Sequence, residues 1–277
     1  VSHPHPDPLV DERRAEGRLN VGRLGTTQEV EGRIGGHDPN ATTSGATYAR
    51  PVAEQKTLPV VTVEVWSDVV CPWCYIGKRR FETAVAALAG EIEVEIAYRP
   101  YQLDPGADAD RSGPVLEAYA RKFGGPERAR QIVDHVSAVA AEEGLDFRMD
   151  IAQRANTRRA HRLLWLAEGT GHQAALKERL LSAYFHEGLD VGDIDTLAAC
   201  AADVGLPADR VSAFLRSDDG VAEVEAGLRT AAEAEITAVP TYVIDGRWAV
   251  PGAQDAETFV TVLRRVVERR QASDGAG

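Results

Sequence analysis

The sequence predicts an α/β protein in which one mixed sheet flanked by helices is interrupted by a long helical insertion. Three observations carry that expectation. Two short segments of alternating apolar residues bracket a helical one between residues 60 and 100, residues 106–234 are helical almost throughout, and a two-residue period returns after residue 235 before a last amphipathic helix. A chain of 277 residues is long enough to bury a full core in one domain that carries an insertion.

Residues 1–57 mix Pro, Gly, Thr and both charges without sustained periodicity, and are expected to form a disordered leader. The His-Pro-His-Pro start is expected to be solvated rather than a metal tract. In LPVVTVEVWSD, Val61, Val63 and Val65 alternate with Thr62, Glu64 and Trp66, the pattern of a strand. A helix follows at once, with Cys74, Gly77, Phe81, Val85 and Leu88 at helical spacing, Pro72 in its first turn and Gly90 at its end. Ile92, Val94, Ile96 and Tyr98 then alternate as a second strand, which completes a βαβ start.

Helical spacing continues through Val115, Leu116, Tyr119 and Phe123, then Ile132, Val133, Val136, Val139 and Ala140, and recurs near 157–168, 173–186, 194–204, 208–216 and 220–234. This block is expected to be all-helical. Val239, Tyr242 and Ile244 lead into Asp245-Gly246, a strong hairpin signal, and a second short strand passes through Trp248 and Val250. Phe259, Val262, Leu263, Val266 and Val267 form the buried stripe of the closing helix, with Asp255 as its N-cap. Residues 58–105 and 235–277 are therefore expected to form one domain and 106–234 an inserted helical one.

A formal net charge of −12 argues against sequence-independent binding to nucleic acid. No apolar run is long enough to span a bilayer, so no membrane partner is expected and the cytoplasm is the expected compartment. In a reducing compartment a close cysteine pair is more often catalytic or metal-binding than structural. A structural zinc site needs four ligands, and beyond Cys71 and Cys74 only the isolated Cys200 remains, with no histidines paired at ligand spacing. A disulfide across so short a loop removes little chain entropy, so stability is a poor reason for it.

Redox chemistry suits the arrangement. A helix N-terminus offers unpaired N–H groups and a favourable dipole to an anion at Cys71, and the thiolate is the attacking species. Cys74, three residues on, is expected to be shielded and to resolve a mixed disulfide formed at Cys71. Pro72 removes an amide donor and Trp73 puts an apolar ring beside the sulfurs. No metal or tightly bound cofactor is expected.

From about Pro59 to Arg270 the sequence resembles the DsbA family of thioredoxin-fold oxidoreductases, in particular its cytoplasmic FrnE-like, polyketide-associated branch. SDVVCPWCYIG, YRPYQLDP, LLSAYFHEGLDVGDIDTLAACAADVGLP and AVPTYVIDGRWAVPGAQ carry the resemblance. It implies a thioredoxin-like fold, βαβ and ββα around the helical insertion. It also implies a cis bond between Val239 and Pro240, facing the cysteines and shaping the substrate groove, and a possible homodimer. The 2-hydroxychromene-2-carboxylate isomerases and kappa-class glutathione transferases share that fold but place Ser where this chain has Cys71, which favours dithiol chemistry.

Other residues admit more than one role. Asp68 either accepts a proton from Cys74 or ends the strand, and Tyr75 either covers the cysteines or packs into the insertion. Cys200 is expected to be a small buried hydrophobe. Arg158, Arg159 and Arg162 put positive charge in the first turns of a helix capped by Asn156 or Thr157, against the macrodipole. With His161 they are candidate contacts for an anionic ligand, such as glutathione carboxylates or an acidic substrate, although a solvated face is the favoured account because such surface charges cost little.

The expected function is therefore protein disulfide oxidoreductase activity through the CPWC pair, on a disulfide or dithiol protein or small molecule, with glutathione as a candidate co-substrate. The alternatives are a glutathione-dependent isomerase or transferase acting on an aromatic or polyketide-derived molecule, and a non-catalytic chaperone or scaffold.

Overall fold

The computed structural model describes residues 57–274, so the leader expected over residues 1–57 lies, but for its last residue, outside them. The chain begins with β1 (Val60–Ser67), α1 (Pro72–Ala87) and β2 (Glu93–Pro100). There follow β3 (Gly113–Pro114), α2 (Val115–Phe123), α3 (Pro126–Glu142), β4 (Gln153–Arg154), α4 (Arg158–Glu168), α5 (Gln173–Phe185), α6 (Ile194–Asp203), α7 (Ala208–Arg216) and α8 (Val221–Glu233). It closes with β5 (Thr241–Ile244), β6 (Trp248–Pro251) and α9 (Ala256–Asp274).

The main sheet has the order β2-β1-β5-β6. β1 and β2 are parallel, Val63 opposite Ile96, because α1 carries the chain back to the start of the sheet. β5 is antiparallel to β1, Val65 opposite Tyr242, and β6 is antiparallel to β5. The hairpin turns where Asp245 and Gly246 both adopt positive φ, 50° and 63°, conformations that Asp and Gly tolerate best. Asp245 also accepts the Thr62 N–H at 3.0 Å, which ties the turn to β1. The expected cap of α9 is present, the Thr258 N–H donating to Asp255 at 2.7 Å.

Val61, Val63 and Val65 of β1 pack with Phe81 and Ala84 of α1, with its C-cap residue Leu88, and with Phe259, Val262, Leu263 and Val266 of α9 in one buried cluster. At its centre Phe81 meets Tyr242 at 4.9 Å between ring centroids and Phe259 edge-on at 5.0 Å. Burying side chains of this size stabilises the fold by about 1.5–3 kcal/mol each.

The insertion helices build a second cluster, and Val69, Tyr75 and Ile76, which flank the cysteines, belong to it. The cysteine loop therefore lies where the two clusters meet. α4, α5 and α8 pack against β2, the edge strand. Gln173 satisfies that edge at Tyr98, accepting its N–H at 2.8 Å and donating to its carbonyl at 3.1 Å. The block 106–234 is not wholly helical, since β3 and β4 form a two-stranded antiparallel pair with Gly113 opposite Arg154. Strands of two residues are too short to leave a period in the sequence. Among the described residues no helix is long and apolar enough to cross a membrane.

Candidate active site

β1 ends at Ser67 and the chain turns through Asp68, Val69 and Val70 into Cys71, the N-cap of α1. Pro72 occupies the first helical turn, where a missing N–H costs nothing. The Cys71 sulfur takes the capping position itself and accepts the Cys74 N–H at 3.2 Å. On its other side it lies 3.7 Å from the carbonyl of Val239, to which a thiol at Cys71 donates. The Val239–Pro240 bond is cis. The loop that carries it is held by Gly252, whose N–H donates to the Pro240 carbonyl at 2.7 Å, and by Thr241, whose hydroxyl donates to the Ala238 carbonyl at 2.8 Å.

Both cysteines are free thiols with little exposed surface, 2% for Cys71 and 3% for Cys74. Of the two, Cys71 alone lines the neighbouring cavity. That cavity has a volume of about 560 Å3, and Val70, Pro72, Trp73 and Val239 line it as well. Burial pushes the Cys74 thiol well above its ordinary value, and the hydrogen bond and charge of Cys71 push the same way, while Lys177 and the Asp68 backbone favour its thiolate.

Asp68 is fully buried, and its carboxylate organises the loop. It accepts the N–H of Val69 at 2.8 Å and that of Leu103 at 2.8 Å, and faces His161 Nε2 at 3.1 Å. His161 Nε2 also lies 2.9 Å from the Tyr101 carbonyl, and since both partners are acceptors this nitrogen carries the proton. Burial alone would raise the Asp68 carboxyl, but the His161 bond and charge and the Leu103 N–H hold it below its ordinary value.

The far wall of the cavity comes from the insertion. Tyr119 and Phe123 of α2, Ile132 and Val136 of α3, and Tyr184 of α5 make it largely apolar, and Arg121 and Lys122 line it with positive charge beside Arg154, which pairs with Asp104 of the same lining at 2.7 Å. Burial and the charge of Cys71 push the Tyr119 hydroxyl up to about 12. Trp73, 37% exposed, reaches toward His135 of α3 with 6.3 Å between ring centroids. These insertion residues carry no motif. Val115, Tyr119 and Phe123 have the spacing of a core stripe, and periodicity does not distinguish a stripe that faces a core from one that faces a cavity.

The anion-contact group does not gather at the cysteines. Arg158, Arg159 and Arg162 line a separate cavity of about 490 Å3 in which neither cysteine takes part. Arg158 pairs with Glu225 at 2.7 Å, and Arg159 with Asp110 at 3.0 Å while donating to the Ala109 and Gly192 carbonyls. Two members are engaged by groups of this chain. Arg162 is buried and spends its guanidinium on the carbonyls of Phe214, Leu215, Ser217 and Asp219, closing the C-terminal end of α7. His161 is buried against Asp68. The charge at the start of α4 is thus answered by carboxylates and carbonyls of this chain. Asn156 accepts the Arg158 N–H at 3.1 Å, whereas Thr157, the N-cap residue, makes no side-chain cap.

Tyr75 packs into the insertion, between Phe147 and Phe185, and donates to Glu178 at 2.7 Å. Lys78 and Arg79 meet the same carboxylate, so α1 and α5 are joined by an ionic cluster one turn beyond the cysteines. Lys177, next to Glu178, points inward and is 1% exposed. Cys200 is fully buried. Among the described residues no group of three or more His, Cys, Asp or Glu side chains is placed to hold a metal ion.

Comparison with known proteins agrees with this fold. The DSBA-like thioredoxin domain family matches residues 62–264. The uncharacterized protein YwbO of Bacillus subtilis is 30% identical over 207 residues, which cover 72% of this chain and 94% of that one. A probable DsbA oxidoreductase of Streptomyces coelicolor superposes with a TM-score of 0.68 at 38% identity, covering 74% of this chain and 89% of its own. The cytosolic disulfide reductase DsbM of Pseudomonas aeruginosa shares the fold, with a TM-score of 0.53 at 19% identity over 75% of this chain and 98% of its own.

Proposed function

Because the chain belongs to the DSBA-like thioredoxin domain family, we propose that it is a thiol–disulfide oxidoreductase working through Cys71 and Cys74. One observation carries the assignment of roles: the Cys71 sulfur caps α1, accepts the Cys74 N–H and borders the cavity, while Cys74 lies behind it. A Cys71 thiolate attacks one sulfur of a substrate disulfide, the new bond joins Cys71 to that sulfur, and the other substrate sulfur leaves as a thiolate that takes a proton from water. Cys74 then loses its proton and attacks Cys71, the substrate leaves as a second thiol, and a Cys71–Cys74 disulfide remains. Run backwards, the same steps oxidise a dithiol.

The substrate side is read from the cavity. Its apolar walls and the cations Arg121 and Lys122, Arg154 being paired with Asp104 at 2.7 Å, suit a disulfide flanked by an apolar group and a negative charge, presented by a protein or by a small molecule. Glutathione is the candidate that returns the pair to its starting state. Three cysteines in the whole chain, two of them adjacent in the site, fit a cytoplasmic enzyme better than a disulfide-stapled one. Within the family, the resemblance of SDVVCPWCYIG to the FrnE-like branch supports reading the chain as one of its members.

Trapping tests the assignment. Cys74→Ser should accumulate a stable mixed disulfide at Cys71 when given an oxidised substrate, and Cys71→Ser should form none and lose insulin reduction. Activity that survives Cys71→Ser would instead favour a glutathione-dependent isomerase or transferase.

A further inference from the structure

Cys74 is buried, and its attack on the mixed disulfide requires that its proton go somewhere. Asp68 is the acid nearest in sequence, but its carboxylate is taken by two backbone N–H groups and His161. A different group is open. Lys177 sits in the middle of α5, between Leu176 and Leu180 of the insertion core, and its Nζ has no hydrogen-bond partner. A buried ammonium without an acceptor is costly, so the amine needs a partner whose charge changes with it. The groups that bear on it electrostatically are Cys74 and Cys71 at the head of α1, Lys78 further along α1, and Asp68 of the preceding loop, and its Nζ lies 5.6 Å from the centroid of the Tyr98 ring of β2.

We propose that Lys177 is the base that receives the Cys74 proton as Cys74 attacks the mixed disulfide, so that the insertion supplies the acid–base group of the redox site. This rests on the redox role of Cys71 and Cys74 given above. The step balances simply. Nζ lies beyond hydrogen-bond distance of the Cys74 sulfur, so the Cys74 proton reaches it through one bridging water. The thiolate bonds to the Cys71 sulfur, the bond from Cys71 to the substrate breaks, and the substrate thiolate takes a proton from water. Once the disulfide has formed, no thiolate remains to hold the ammonium, and Lys177 returns its proton to solvent. The two environments are tuned toward one another, since burial lowers the Lys177 amine and raises the Cys74 thiol, while the charge of each favours the charged form of the other.

The resolving step can be watched alone with Ellman's reagent on the full chain. The reduced protein forms a mixed disulfide with thionitrobenzoate at Cys71, and Cys74 then expels the chromophore in a second, first-order phase. In Lys177→Met, which keeps the apolar stem, the second phase should slow at least tenfold at pH 7 and keep rising with pH beyond the point where the wild type levels off, while the first phase changes far less. A folded Lys177→Met with the wild-type second phase and pH profile overturns the proposal. A second measurement needs no variant: with Cys71 capped as a stable mixed disulfide in Cys74→Ser, the Lys177 side-chain carbon resonance should titrate more than one unit below the ~10.4 of a free lysine. An ordinary lysine titration there also overturns it. If the wild type itself shows no second phase, the redox role of the pair fails, which is a distinct result.

Discussion

Gly77 and Pro240 touch across the site. A Cβ on Gly77 would lie 3.0 Å from Pro240 Cγ and 2.7 Å from the Tyr242 hydroxyl, so the bare backbone of α1, one turn beyond Cys74, sets how closely the Val239–Pro240 loop approaches Cys71. Gly77→Ala should destabilise the fold by about 1–3 kcal/mol through overpacking, and should slow the reaction of Cys71 with a disulfide probe as the loop is pushed away. Urea unfolding and probe kinetics on one preparation check both effects. A variant with unchanged kinetics would show that the loop does not need this contact.

Asp68 predicts an acid limb in stability. A carboxyl held low in the folded state stabilises the fold above its unfolded value of about 3.9, and that contribution is lost as the pH falls through the lower folded value. Urea midpoints of the wild type should therefore drop below about pH 4. Asp68→Asn, which loses charged hydrogen bonds, should cost about 1.5–3 kcal/mol at pH 7 and show a shallower acid limb.

Arg162 should matter to stability and not to chemistry. Arg162→Met removes the donors that close the end of α7, and should lower stability by about 1.5–3 kcal/mol with thiol exchange rates within twofold of wild type. A loss of exchange activity in a folded Arg162→Met would return this arginine to the substrate site.

Substrate charge should be felt at the cavity mouth. Arg121 and Lys122 are exposed and line the cavity, and exposed charges contribute about 0.2–1 kcal/mol each. Arg121→Glu with Lys122→Glu should raise KM for a carboxylated aryl disulfide several-fold, leave a neutral one nearly unchanged, and lose the difference at high salt.

What was legible in the sequence follows from the length and regularity of each element. β1, α1, the Asp245-Gly246 hairpin and α9 each bury one continuous stripe, so their periods survive in the residue order. The two-residue pair β3 and β4 has no period to show. The cysteines could be found because a C-x-x-C at a helix start is a local pattern. The cis bond before Pro240 was expected only through resemblance, since a proline at a strand start looks the same in either isomer. Lys177 was overlooked although its signal was present, a single cation on the same helix face as Leu180, Leu181 and Tyr184. Arg162 misled for the opposite reason: its partners are carbonyls at the end of a helix some fifty residues away, and the local sequence does not name them.

The most direct test of the central claim is an equilibrium titration of the wild-type thiols in glutathione buffers of graded potential, with alkylation and mass mapping of each cysteine. A single reversible two-electron transition shared by Cys71 and Cys74, with Cys200 unmodified in the native protein throughout, is the predicted result. Cys71 and Cys74 that remain thiols at every potential, or that form only separate glutathione adducts, would contradict the dithiol mechanism.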